Sequence, residues 1–276
     1  MRIGIISDLH YDLYPEEGFL DTLIQVLAEA KLDILLNGGD LAENPACSLA
    51  LLEAIRAGLP TLRHYYVPGN HDMWHKYLPE GTKASDVIAL HQSRPECVWN
   101  ETVQLSPEWL LVGGCGWYDY SLGDPKFSLE ELSTRSYQGR TWQDKLFAAW
   151  EEEDIAVHDA IAAQLAQEID NAQGKNVIFM THHINHPRFT VPADRPGREQ
   201  WAYFNAFLGS MALYNLTLAP QVRMALSGHV HYRFSFEENN THYANRGLGY
   251  LREFALFGGE LDLASQIRAA MEIIDI

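Results

Sequence analysis

Arg2-Ile3-Gly4-Ile5-Ile6-Ser7-Asp8-Leu9-His10 opens the chain with a short apolar run that ends on two side chains able to hold a cation. A run of this length, with no charge between Arg2 and Asp8, suits a strand buried on both faces. Between Glu16 and Lys31 the pattern changes, and Phe19, Leu23, Val26, Leu27 and Ala30 recur at the spacing of one helix face. A second apolar run, Asp33 to Asn37, ends at Gly38-Gly39-Asp40. Pro45 then opens a helix that continues through Leu49, Leu52 and Ile55, since proline is tolerated in a first helical turn. A third run, His64 to Val67, stops at Pro68-Gly69-Asn70-His71-Asp72. Strand, helix, strand, helix, strand is the pattern of right-handed βαβ units around a largely parallel sheet, which makes the fold α/β.

Further along, Val98 to Leu105 and Trp109 to Gly114 read as strands separated by Ser106-Pro107. Trp117 to Arg140 reads as loop, broken at Gly123-Asp124-Pro125. Trp142 to about Gln173 carries a long helical pattern whose acidic run, Glu151 to Asp154, is expected on a solvated face. Strand character resumes over Asn176 to Thr181 and stops at His182-His183. A proline-rich loop, Pro187 to Pro196, leads into helical material from Glu199 to Leu216. Val222 to Leu226 ends in Ser227-Gly228-His229-Val230-His231, and two short strands follow at Tyr232 to Glu237 and Thr241 to Asn245. The tail from Glu260 to Ile276 joins a helical segment to a mostly apolar run, Met271 to Ile274.

Bulk properties narrow the class. A chain of 276 residues with 47% hydrophobic and 21% charged residues has material for one large core, so a single domain over 1–276 is expected. The stretch from Trp74 to Gln173 is long, and part of it, within about 117–175, is expected to form a cap or flanking insertion over the site. A formal charge of -17 argues against long nucleic acid as a partner, because that binding depends on Lys and Arg neutralising phosphates. Cys47, Cys97 and Cys115 are odd in number and show no CxxC spacing, so they are expected to be reduced and packed as small hydrophobes. The amino terminus reads as a strand rather than a leader, and no apolar stretch approaches the roughly 18 residues of a membrane span. A cytoplasmic protein with no membrane partner is the expectation; protein partners are left open.

The polar residues at the strand ends carry the functional signal. Five apolar runs terminate in Asp8 and His10, in Asp40, in Asn70 and His71, in His182, and in His229 and His231. Ligands of open α/β sheets bind beyond the carboxyl ends of strands, so residues remote in sequence can converge there. In this order and spacing the motifs resemble the calcineurin-like metallophosphoesterase superfamily, and they span residues 8 to 231. The resemblance implies a four-layer α/β/β/α sandwich with a dinuclear centre at one edge. Carried over by motif, Asp8, His10 and His231 would hold one metal; Asn70, His182 and His229 would hold the other; Asp40 would bridge them. His182 is preferred to His183 because the family's ligand is the first histidine after the strand. Mixed nitrogen and oxygen donors suit two divalent or trivalent ions from among Mn, Fe, Zn, Co and Ni.

Two cations about 3.5–4 Å apart can share a hydroxide and polarise a phosphoryl group for in-line attack. His71 is then the expected acid for the leaving oxygen, and Asp72 the expected partner of its ring, although a turn-stabilising role for Asp72 weighs nearly as much. The reaction implied is hydrolysis of small phosphodiesters or phosphomonoesters, of cyclic-nucleotide or nucleotide-derivative type. A protein phosphatase is disfavoured because Gly39-Asp40 continues as Leu41-Ala42-Glu43-Asn44, without the arginine of an Asp-Arg-Gly run. The alternative on the same fold is a non-enzymatic metal-binding scaffold or regulatory module. Among residues able to touch phosphate, His75, Lys76, His186, Arg188, Arg195 and Arg198 lie downstream of the motifs, with none singled out.

Overall fold

Along each apolar run, alternate residues face opposite ways, and here both faces are covered. The computed structural model describes residues 1–14, 18–99 and 101–276. Strands β1 (Arg2–Ile6), β2 (Ile34–Asn37) and β3 (Arg63–Tyr66) pair in parallel, and β12 (Glu272–Asp275) closes the edge of this first sheet antiparallel to β1. The second sheet runs β10-β11-β9-β8-β5-β4. Its members are β4 (Val103–Gln104), β5 (Trp109–Gly114), β8 (Asn176–Thr181), β9 (Val222–Ser227), β10 (Arg233–Glu238) and β11 (Thr241–Arg246), with β5, β8, β9 and β11 parallel. A small hairpin, β6 (Ser136–Tyr137) with β7 (Arg140–Thr141), stands apart.

The two sheets stack face to face. Ile3, Ile5, Ile34 and Leu36 of the first meet Leu111, Ile178, Met180, Met224 and Leu226 of the second in one buried cluster. The intervening residues Leu35, Leu110, Val112, Val177 and Phe179 point outward into a second cluster shared with the helices. That period of two, with both faces buried, is why the strands read as continuous apolar runs. On the outer side of the first sheet, α1 (Phe19–Ala30) packs with α2 (Pro45–Gly58) and with α10 (Leu263–Ala270). Beyond the second sheet, α6 (Asp154–Asp170) lies against β5 and packs with α8 (Met211–Thr217). Helix, sheet, sheet, helix is the four-layer order expected. The start of the first helical pattern at Glu16, and Asn100 within the fourth apolar run, lie outside the described residues.

The middle of the chain departs from expectation. α3 (Ala84–Gln92) is a helix that the apolar pattern does not announce. The expected loop of 117–140 contains α4 (Leu129–Ser133), capped by the Ser128 side chain, and the first part of the hairpin. The long helix expected from Trp142 is interrupted, with one turn, α5 (Asp144–Phe147), separated from α6 by non-helical residues. Two tertiary bonds fix that break, since the carbonyls of Phe147 and Ala149 accept from the amides of His75 and Ala84 instead of continuing a helix. Glu151 to Glu153 therefore precede α6 rather than line it, where negative charge suits the positive end of a helix, while Asp154 is not solvated but buried against Trp117 (3.0 Å) and Arg135. Between Glu199 and Leu216 the helical material is divided into α7 (Trp201–Phe204), a 3₁₀ turn and α8; α9 (Phe254–Phe257) is a further single turn. No helix among the described residues is long and apolar enough to cross a membrane.

Ile178 lies wholly buried between the sheets, so Ile178→Ala should cost about 2–5 kcal/mol of unfolding free energy in a denaturant titration. Truncation of Leu129, which is 61% exposed, should stay within about 0.5 kcal/mol. Equal effects at the two positions would contradict the packed inter-sheet core.

Candidate metal centre

Five strand ends deliver polar side chains to one edge of the sandwich. Asp8 and His10 leave β1, Asp40 leaves β2, Asn70 and His71 leave β3, His182 leaves β8, and His229 and His231 leave β9. Three of these strands belong to the first sheet and two to the second. Backbone bonds sew the loops together: the Asp8 amide donates to Gly39 O (2.8 Å), the His10 amide to Asp40 O (3.0 Å) and the Gly228 amide to His182 O (2.9 Å).

The loops are bent hard. Asp8, His10, Asp40, His229 and His231 have φ of 54, 42, 52, 74 and 53°, in the left-handed region where a Cβ is crowded. Such conformations cost roughly 1–3 kcal/mol each and concentrate at functional sites. Gly69 is required by proximity, because a Cβ there would land on the Asp40 carboxylate.

Ligand atoms lie within 4.8 Å of one another in three groups: Asp8, His10 and His231; His10, Asp40 and His71; Asp40, His182 and His229. Asp40 Oδ2 stands between the outer groups, 3.7 Å from His10 Nε2 and 3.4 Å from His182 Nε2. Asn70 joins the third group through Oδ1, which is 3.0 Å from both His182 Nε2 and His229 Nδ1. On the other side His10 Nε2 is 3.1 Å from His231 Nε2, and the latter is 3.6 Å from Asp8 Oδ1.

The protons on the outer atoms show what the inner ones offer. His182 Nδ1 faces the Gly38 carbonyl at 2.9 Å and His231 Nδ1 faces Glu253 at 2.7 Å. Those oxygens accept only, so each Nδ1 carries a proton, and each ring, once it gives up the proton on Nε2, turns a lone pair inward. Asn70 Nδ2 donates to Asp144 Oδ1 at 2.8 Å, which aims the amide oxygen into the site. Lone pairs of three or more side chains thus converge in a buried space, an arrangement that demands a proton or a cation among them. The mixed nitrogen and oxygen donor set fits borderline transition ions.

Electrostatics agree. Burial and the neighbouring rings hold His10 and His229 well below the usual histidine range, so both are neutral and able to ligate. Burial also opposes charge on His182, but the Asp40 and Asp8 carboxylates outweigh it and lift the ring to about 9. For Asp40 burial acts upward and is overcome by His182 and His71, which hold the carboxyl well below its ordinary value. His71 is raised against its burial by Asp40 and Glu43. Its ring stacks on Trp74 with centroids 3.7 Å apart, its Nδ1 lies 3.5 Å from Glu43, and its Nε2 lies 3.9 Å from Asp40.

Asp72 is not the partner of that ring. Its carboxylate is buried and accepts from the amides of Leu41, Ala42 and Gly69 and from the Ser48 hydroxyl, tying the Asp40 loop to the Asn70 loop. Three backbone donors outcompete one imidazole, and the turn-stabilising role is the one made. Glu43, bound in turn by Lys76 at 2.8 Å, stands beside His71 instead. His183 sits behind the site, its Nδ1 directed at Cys115 O (3.2 Å) and its ring against Trp117 and Tyr118. Of the other cations and histidines named from sequence, His186 is bound to Glu238 and Arg188 stacks over Phe236.

Three supporting residues had no sequence signal of their own. Asp144 accepts from Asn70 and from the indoles of Trp74 (2.9 Å) and Trp142 (2.8 Å), and the Trp142 ring lies 5.7 Å from that of His229. Glu253 holds His231, and Tyr250 packs on His10 and His231. Glu43 could have been found, since it lies three residues beyond Asp40.

Asp144→Ala leaves the Asn70 amide free to turn, and should weaken metal binding by about 10–100-fold in a calorimetric titration. Affinity and stoichiometry equal to the native protein would contradict the orienting role. Because the metal-free site keeps a proton on His182 up to about 9, metal and proton compete there. Apparent Mn affinity should therefore rise with pH between 6.5 and about 9, with protons released on binding; a flat profile would contradict that competition.

The sequence profile of the calcineurin-like phosphoesterase family matches residues 1–233. Two Helicobacter pylori proteins, from strains 26695 and J99 and each described as an uncharacterized metallophosphoesterase, are 27% and 26% identical over 124 and 121 residues. Those alignments cover 44% of this chain and 30% of each relative, so the chain spans less than a third of their length. Among solved structures, phosphopantetheinyl hydrolase (PptH) from Mycobacterium tuberculosis superposes with a TM-score of 0.73 at 16% identity, covering 99% of this chain and 95% of that one. That likeness speaks for the fold. With the family match running through every strand end of the site, the chain belongs to the calcineurin-like phosphoesterase family.

Proposed function

We propose that this chain is a two-metal phosphoesterase that hydrolyses small phosphodiesters or phosphomonoesters. The observation that carries this reading is the pair of donor groups on either side of Asp40, whose inward lone pairs call for cations. Asp8, His10, Asp40 and His231 would hold one ion; Asp40, Asn70, His182 and His229 would hold the other. When bound, the ions supply Lewis-acid polarisation of the phosphoryl group and an activated water.

The chain's own residues do the rest. Asp40 and Asp8 place negative charge where two cations must sit close together, and Asp144 and Glu253 keep Asn70 and His231 turned inward. His71 is the proton donor for the leaving oxygen. Trp74 holds the ring flat, and Glu43 beside Nδ1 favours the protonated form while Nε2 faces the cleft. The acidic surface disfavours long polyanions such as nucleic acid.

The test uses the Mn-loaded protein on bis-p-nitrophenyl phosphate, p-nitrophenyl phosphate, an alkyl phosphodiester and a phosphopantetheinyl-serine diester, the last chosen from the name of the Mycobacterium protein. Metal-dependent turnover of one of them is expected. His71→Ala should slow the alkyl ester by about 10²–10⁴-fold and the p-nitrophenyl esters much less, because p-nitrophenolate leaves without a proton. No turnover of any ester by protein carrying its metals would favour the non-enzymatic module. Equal loss on all the esters would remove His71 from the acid role.

A further inference from the structure

The family match stops at residue 233, yet the chain returns to the metal cleft beyond it. The amides of Leu248 and Gly249 donate to the carbonyls of Ser7 (2.9 Å) and Asp8 (3.0 Å), which fastens residues 248–253 against the loop of the first candidate ligand. Glu253 uses that anchorage to hold His231. Between these fixed points Tyr250 lays its ring against two candidate ligands, with centroids 4.6 Å from His10 and 4.7 Å from His231. Most of a tyrosine's worth in such a place is packing, but this one also has a polar end that is not used. The residue is half-buried; its amide donates to Glu253 Oε2 (2.9 Å), while its hydroxyl has no partner among the described residues. The phenols of Tyr14 and Tyr66, by contrast, are bonded to Gly249 O (2.6 Å) and to His91 (3.0 Å).

Arg252 stands over the same ring, its guanidinium carbon 4.6 Å from the centroid, exposed and without an ion pair among the described residues. The Gly39-Asp40 loop supplies no arginine of its own. Lys76, downstream of His71, is already committed to Glu43. A phosphate ester at this cleft thus finds no arginine among the motifs, and finds one here.

We propose that Tyr250 contacts the substrate, its phenol donating a hydrogen bond to a non-bridging oxygen of the phosphate ester, with Arg252 stacked behind the ring to hold it and add positive charge. This rests on the phosphoesterase reading above. The contact lies in the segment after residue 233, beyond the family match.

Tyr250→Phe keeps the ring and removes only the hydroxyl, which separates substrate contact from packing. With full-length Mn-loaded protein, the probes are inorganic phosphate, followed by calorimetry, and bis-p-nitrophenyl phosphate, followed by turnover; metal content and Tm are recorded alongside. Tyr250→Phe should keep native metal content and Tm while losing about 10–100-fold in phosphate affinity, in kcat/KM, or in both. Arg252→Gln should lose about threefold, mainly in KM, with the loss shrinking as salt is raised. Phosphate affinity and kcat/KM unchanged in Tyr250→Phe would overturn the proposal, as would a native metal-loaded protein that binds no phosphate. A protein that binds phosphate through Tyr250 and turns over no ester would keep this contact and sink the phosphoesterase reading.

Discussion

Inward-facing lone pairs between two sheet edges are the constraint to which the surrounding structure answers. Five histidine rings, two aspartates and an asparagine amide crowd a space from which solvent is largely excluded. Left to themselves they would turn to find donors. Four points are held from behind: His182 by Gly38 O, His231 by Glu253, Asn70 by Asp144, and the Asp40 loop by Asp72 through three backbone amides. Left-handed backbone at five of these positions is a further cost carried by the same loops. Strained backbone and buried polar side chains of this kind concentrate at functional sites.

The sandwich explains how that is possible. Parallel strands send all their carboxyl ends to one edge, so two stacked sheets bring loops from both ends of the chain within bonding distance. The His229 amide on Asp8 Oδ1 and the His182 ring on Gly38 O are the stitches between them. The segment between β5 and β8 places Asp144 and Trp142 beside these loops. Its helical turn α5 exists where Asp144 must point inward to meet one amide and two indoles, and the tertiary bonds of Phe147 and Ala149 keep the following residues from extending the helix.

What was legible in the sequence follows from the same physics. Asp8, His10, Asp40, Asn70, His182, His229 and His231 were visible because each ends an apolar run, and buried strands announce themselves by continuous hydrophobicity. Two stacked sheets were not visible in that pattern, since a strand covered on both faces reads alike in one sheet or two; the order of motifs supplied the architecture. The helical pattern from Trp142 runs on past the break because periodicity carries no sign of the tertiary bonds that divide the helix. Asp144 and Glu253 act from far along the chain, and no spacing rule connects them to Asn70 or His231. Asp72 was assigned by adjacency to His71, but adjacency in a tight turn sends neighbouring side chains to different sides.

The central claim is that these loops hold two cations, and diffraction from crystals grown with Mn, recorded near the Mn absorption edge, tests it most directly. The account predicts two anomalous peaks on either side of Asp40, one among Asp8, His10 and His231 and the other among Asn70, His182 and His229. A single peak, or peaks only at surface carboxylates, would contradict it.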